Sequence, residues 1–332
     1  MGNMKLRLGM LGSMGLIIGV TTLGAAVLLN GVLHMSLIWT FVIVVPLFLL
    51  QWYFGPKMVE YSMGVEQASE SQYPRLHQIV KRISRKVDID PPQLMVAQVE
   101  MPNAFAYGNI FSGKKVAVTR GLLNVLEEEE VEAVLGHELG HIKHNDAEVM
   151  LFLSILPALF MMLGRTLLWS SFLGGRRRNG AALMLVAFVS MAFYFLLNLC
   201  ILWFSRLREY YADEFSSRNI PQGSRKLQEA LVKINKRMSQ MKEQSAKGQL
   251  RSRGRTAQGR ANSMGLNPMG SGMKALFISD PDLADPEGGA SDSELVKRYR
   301  DREVSLGQKF FEIFTTHPEL SKRLKALDKL RN

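Results

Sequence analysis

His137 and His141 stand four residues apart, with Glu138 beside the first, in the run His137-Glu138-Leu139-Gly140-His141. Residues i and i+4 share one face of a helix, so two imidazoles at this spacing can grip a single metal ion. Zinc suits imidazole, lowers the pKa of a water towards neutrality, and leaves a neighbouring carboxylate such as Glu138 to take the proton. The competing structural reading, two core histidines around a buried glutamate, leaves that carboxylate without the partner burial demands. A catalytic zinc needs a third protein ligand. His144 is near, but His137 to His144 spans about 10 Å of helix axis at about 1.5 Å per residue. Three ligands on one straight helix cannot all come within about 2 Å of an ion. The segment Ser205 to Asp213 offers a better set. Glu209 and Asp213 are again four apart, so one carboxylate can ligate while the other accepts the N–H of a ligating imidazole.

These groups need elements to carry them. Val131, Ala133, Val134 and Leu135 precede the first motif, and Glu127 to Glu130 fill a first helical turn, where the macrodipole favours negative charge. A helix from Glu127 to about Asn145 follows. Before it, Leu76, Val80, Ile83 and Val87 mark an amphipathic helix over 72–88, stopped by Pro91-Pro92. Leu94 to Ala97 and Lys115 to Thr119 read as short strands. Beyond, 205–218 and 222–243 read as helices, 245–274 as a flexible loop rich in Gly, Ser and Arg, and 318–330 as a basic amphipathic helix.

The 332 residues carry a net charge of +11, yet from Leu8 to Pro56 there is no Asp, Glu, Lys or Arg. A spanning helix needs about 20 apolar residues, so this block predicts two spans, roughly 9–29 and 36–55, around Asn30-Gly31. A cleaved secretory signal is the competing reading of the first, and the block is too long for one. Two further apolar runs, 149–172 and 181–204, flank the basic loop Arg176-Arg177-Arg178, and Arg165 makes full burial of the first in lipid costly. No nucleic-acid module is visible. The one cysteine, Cys200, lies in an apolar run, which excludes a disulfide framework and a cysteine-rich metal site.

The order His-Glu-Leu-Gly-His, apolar hairpin, Glu209-x-x-x-Asp213 resembles the HtpX-type membrane metalloproteases, more distant kin of the prenyl-protein (CAAX) endopeptidases. Asn103-Ala104-Phe105-Ala106, Ala275-Leu276-Phe277-Ile278 and Thr316-His317-Pro318 add to the resemblance. It implies one zinc ion per chain held by His137, His141 and Glu209, with Glu138 as general base and Asp213 supporting a ligating histidine. It further implies His317 near the metal, and substrate backbone pairing with an edge strand at 115–119 (Val116, Ala117, Val118) after Asn103. The Arg176–Arg178 loop and the 245–274 loop depart from the pattern.

The fold so implied is a mainly α membrane protein, with four apolar helices and a zincin-like α+β catalytic domain containing a small sheet. Its segments are an N-terminal transmembrane hairpin (1–56), a catalytic region (57–148), a second apolar hairpin (149–204) and a second catalytic region (205–332). Lys5 and Arg7 before the first span place the N-terminus and the catalytic region on the cytoplasmic side of a cell membrane. Arg176 to Arg178 conflict with that if the second hairpin crosses fully. The expected partners are polypeptide substrates, membrane proteins among them, and the lipid bilayer. The expected role is quality control by an endopeptidase; a dedicated processing protease and a catalytically silent scaffold are the other readings.

Overall fold

A computed structural model describes residues 37–173, 180–253, 291–302, 305 and 312–330. The expected span 9–29, the Arg176–Arg178 loop, the 275–278 segment and most of the 245–274 loop lie outside these residues. Helix α1 (Leu37–Met63) covers the second expected span and leads into strand β1 (Val65–Gln67), helix α2 (Pro74–Lys86) and strand β2 (Gln93–Ala97). Strands β3 (Ala104–Asn109) and β4 (Gly113–Thr119) follow, then α3 (Arg120–Leu123), α4 (Glu128–Lys143), α5 (Asp146–Leu173) and α6 (Gly180–Asn219). Helices α7 (Gly223–Arg253), α8 (Asp292–Asp301) and α9 (Leu320–Asp328) complete the described elements.

The chain forms two units, one from Met1–Pro56 and Asn145–Arg208, the other from Lys57–His144 and Glu209–Asn332. Among the described residues two helices are long and apolar enough to cross a membrane, in Asp146–Arg165 and Gly180–Asn219. Leu153, Phe160 and Leu167 of α5 pack on Val186, Ala187, Leu197 and Ile201 of α6. Gly164 permits that approach, since a Cβ there would lie 3.2 Å from the Ala187 carbonyl oxygen. Outward, Phe152, Leu185 and Phe188 are exposed, as suits a surface whose solvent is lipid. Arg208 and Asp146 pair at 3.0 Å.

In the second unit the sheet runs β1-β2-β4-β3. β2 and β4 are parallel, while β1 and β3 flank them antiparallel. One face packs Met95, Ala97, Phe105, Tyr107 and Ala117 against Met63 at the end of α1. The other turns Leu94, Val96, Ala104, Val116 and Val118 towards Val80 and Ile83 of α2, Val134 and Leu135 of α4, and Leu227 and Leu231 of α7.

Four expectations change. β4 is an interior strand, hydrogen-bonded on both sides, so Val116, Ala117 and Val118 have no backbone free for a substrate. The edge on that side is β3. Asn103 is fully buried and pinned to Thr119, its N–H donating to Oγ1 (2.9 Å) and its carbonyl accepting from the Thr119 N–H (2.9 Å). Residues 205–218 form no separate helix but the end of α6, and 245–253 continue α7 where a loop was expected.

Candidate metal centre

Helix α4 sets the first two groups. Its start is fixed by the Glu130 carboxylate reaching back to the Glu127 N–H (2.8 Å), a capping arrangement that satisfies an otherwise orphaned donor. From Val131 to Gly140 every residue is buried, so α4 is enclosed rather than amphipathic. Gly136 and Gly140, one turn apart, let the charged end of α6 lie close. A Cβ at Gly136 would sit 2.8 Å from Ile220, and one at Gly140 3.2 Å from Phe215. Ser216 Oγ donates to the Ala133 carbonyl (2.6 Å) across this contact. The close crossing brings Glu209 and Asp213 to the motif.

His137 Nε2 and His141 Nε2 are 3.2 Å apart, and each is 3.6 Å from a carboxylate oxygen of Glu209. Ligand atoms held at about 2.0–2.1 Å by one tetrahedral ion are separated by about 3.3 Å. The two nitrogens have that spacing, and they face Oε2 and Oε1 of one carboxylate, a donor set that fits zinc, with one ligand atom from each residue within 4.8 Å of the others. A hydrogen bond between the two imidazoles is the competing account of the 3.2 Å spacing. His137 Nδ1 faces Asp213 Oδ1 at 2.9 Å, which favours the proton on Nδ1 and leaves an Nε2 lone pair, and the Glu209 carboxylate facing both Nε2 atoms supports a shared metal over a hydrogen bond.

Asp213 is held in turn. Arg323 Nε donates to Oδ2 (2.9 Å) and Nη2 to Oδ1 (2.6 Å), and Nη1 lies 3.5 Å from Glu209. Asp213 and Arg323 are each 1% exposed, so this fork is sealed from water. Burial opposes the Arg323 charge, but Asp213 outweighs it and raises the proton affinity of the guanidinium. Burial likewise works against a proton on His137, yet its contacts with Asp213 and Glu209 draw its pKa up to about 9. Glu138 is 4% exposed, and burial pushes its carboxyl above the usual range, opposed by His137, His141 and the backbone N–H of Ala106. His317 Nδ1 lies 3.0 Å from Glu209 Oε2, also buried.

Of the residues read from sequence, His137, Glu138, His141, Glu209, Asp213 and His317 are thus gathered in one place. His144 is not. It caps α4, its Nδ1 2.6 Å from the Gly140 carbonyl oxygen and its ring edge-on to Tyr211. Asn145, at φ 54°, then turns the chain into α5, so α4 ends here. Two further participants join them. β3 is one: its outward alternate residues are Ala104, Ala106 and Gly108, and Ala106 N–H reaches Glu138. Arg323 is the other. Its signal was an arginine on the same helical face as Leu320, Leu324 and Leu327, a buried position.

The profile of peptidase family M48 matches residues 70–331. A protein named protease HtpX homolog from Thermoplasma acidophilum is 36% identical over 90% of this chain and 88% of its own length. One of the same name from Aeropyrum pernix is 34% identical over 85% and 82%. Among solved structures, S. mikatae Ste24p is similar with a TM-score of 0.51 at 16% identity, over 98% of this chain and 67% of that one; that likeness concerns the fold.

Proposed function

Because the chain belongs to peptidase family M48 and is a metalloprotease of the membrane, we propose that it hydrolyses peptide bonds of misfolded or damaged membrane proteins. In this reading His137, His141 and Glu209 hold one zinc ion. The observation that supports it most is the convergence of the ligand atoms: His137 Nε2 and His141 Nε2 are 3.2 Å apart, the first is 3.6 Å from Glu209 Oε2 and the second 3.6 Å from Glu209 Oε1, while Asp213 Oδ1 stands 2.9 Å from His137 Nδ1.

Bound there, zinc supplies Lewis-acid polarisation of a carbonyl and acidifies a water molecule. The protein does the rest. Glu138, its proton affinity raised by burial, takes a proton from the attacking water and returns it to the leaving amine. Arg323 holds Asp213, and Asp213 holds the His137 ring. The outer edge of β3 (Ala104, Ala106, Gly108), where the Ala106 N–H meets Glu138, receives the substrate backbone as an added antiparallel strand that replaces this contact. His317 stands where it can donate a hydrogen bond to the developing oxyanion. By the distribution of Lys and Arg around the first apolar block, the site faces the cytoplasm.

The test is Glu138→Gln in the full-length protein. Zinc content should be unchanged, and cleavage of an unfolded membrane-protein reporter should fall about 10²- to 10⁴-fold, the usual worth of a general base. Full residual turnover would remove Glu138 from the mechanism. Polypeptides retained by the inactive variant identify the substrates; retention of one folded protein alone would replace quality control by dedicated processing.

A further inference from the structure

The turn between β3 and β4 is built rigidly, yet it presents its apolar residues outward. Asn109 Oδ1 accepts from the N–H of Phe111 (3.0 Å) and of Ser112 (2.8 Å), Ser112 Oγ accepts from the Asn109 N–H (3.1 Å), and Gly113 takes φ 75°. At the tip Ile110 is 75% exposed and Phe111 68% exposed. Two adjacent apolar side chains held outward on an ordered turn are a candidate interaction surface.

Two tethers say which surface. On one side Tyr107 Oη donates to Glu60 Oε1 (3.2 Å) and Lys115 Nζ pairs with the same oxygen (2.6 Å). Glu60 comes four residues after Pro56, the end of the uncharged run, about 6 Å of helix axis. On the other side Lys114 Nζ donates to the Ile142 carbonyl (3.1 Å), and Ile142 comes four residues before Asp146, where the apolar helix α5 begins. The hairpin is therefore bound at Glu60, about one helical turn along α1 from the end of the uncharged run, and at Ile142, four residues before α5 in sequence. Its tip carries Ile110 and Phe111, exposed apolar side chains of the kind that settle into a lipid interface.

We propose that the Ile110–Phe111 tip inserts into the phospholipid bilayer surface and holds the outer edge of β3 against it. Polypeptide leaving the bilayer would then meet β3 at once. The insertion rests on the chain being a membrane protein, and its direct test does not involve peptide hydrolysis.

Cys200 is the only cysteine, so a Cys200→Ser background accepts single labels. An environment-sensitive fluorophore is placed by Phe111→Cys, and in a second protein by Glu100→Cys, an exposed position at the opposite end of the sheet. Both full-length proteins are reconstituted into vesicles of phosphatidylcholine and phosphatidylglycerol. The label at 111 should be quenched several-fold more by doxyl-labelled acyl chains than the label at 100, and should be shielded from aqueous iodide. Equal iodide quenching of the two labels would overturn the proposal, because the tip would then stand in water. Shielding of the label at 111 from both quenchers would also overturn it, because protein would then cover the tip. With intact peptidase, the pair Ile110→Ser and Phe111→Ser should slow cleavage of a bilayer-anchored reporter several-fold and spare a soluble peptide. Equal slowing of both would make the tip a substrate-binding element instead.

Discussion

Helix α6 passes through two opposite environments. Over 181–204 it carries no charge and turns Leu185, Phe188 and Phe195 outward. Over 205–219 it carries Glu209, Asp213 and Glu214, all buried. In the first stretch apolar groups face outside because lipid is no worse a partner for them than protein. Burying Glu209 and Asp213 in the second is tolerable only because Arg323, His137 and His317 meet them. The first stretch depends on close packing and tolerates exchanges outside. The second depends on each named partner.

The comparison breaks most readily at Glu209. Glu209→Ala should strip zinc from the purified protein, because two histidines do not make a catalytic zinc centre. Elemental analysis checks this, with His144→Ala as the variant that should retain full metal. Loss on His144→Ala and retention on Glu209→Ala would reverse the ligand assignment.

Arg323→Met should come next. It leaves two buried carboxylates without their shared cation, a loss of about 3–5 kcal/mol for a broken buried pair, read as a lowered denaturation midpoint. An unchanged midpoint would mean the fork contributes nothing to the second unit.

Asp213→Asn is milder. Loss of a group that orients a ligating histidine costs about 10- to 100-fold in metal affinity, so zinc should be lost faster to a chelator while activity returns at saturating zinc. Activity that stays absent at saturating zinc would make Asp213 a direct participant. The smallest effect belongs to the other half of α6. Leu185→Phe, facing outward, should shift stability by no more than about 0.5 kcal/mol; a larger shift in a detergent melting curve would show that the face is covered by protein.

Local patterns carried much of this into the sequence. The spacing of His137, Glu138 and His141, the pair Glu209 and Asp213, and the helices around them depend on a 3.6-residue period, visible within a few turns. β3 was also within reach, since Phe105 and Tyr107 alternate with Ala104 and Ala106; two alanines and a glycine are weak strand formers and masked it. Its place at the edge was not within reach. Whether a strand lies inside or outside a sheet depends on partners far off in sequence, and here β2 occupies the side of β4 that would otherwise be open.

By itself, then, the sequence determined the chemistry: two imidazoles and a carboxylate at helical spacing suit zinc, and an uncharged run of this length suits lipid. Only the tertiary structure decided which groups complete that chemistry. Arg323 lies 110 residues from the Asp213 it clamps, Ala106 reaches Glu138 from another element, and Gly136 and Gly140 act through what they allow to approach. The physical reason is that a buried charge is stable only where its partners converge, and convergence is a property of packing rather than of any local stretch of chain.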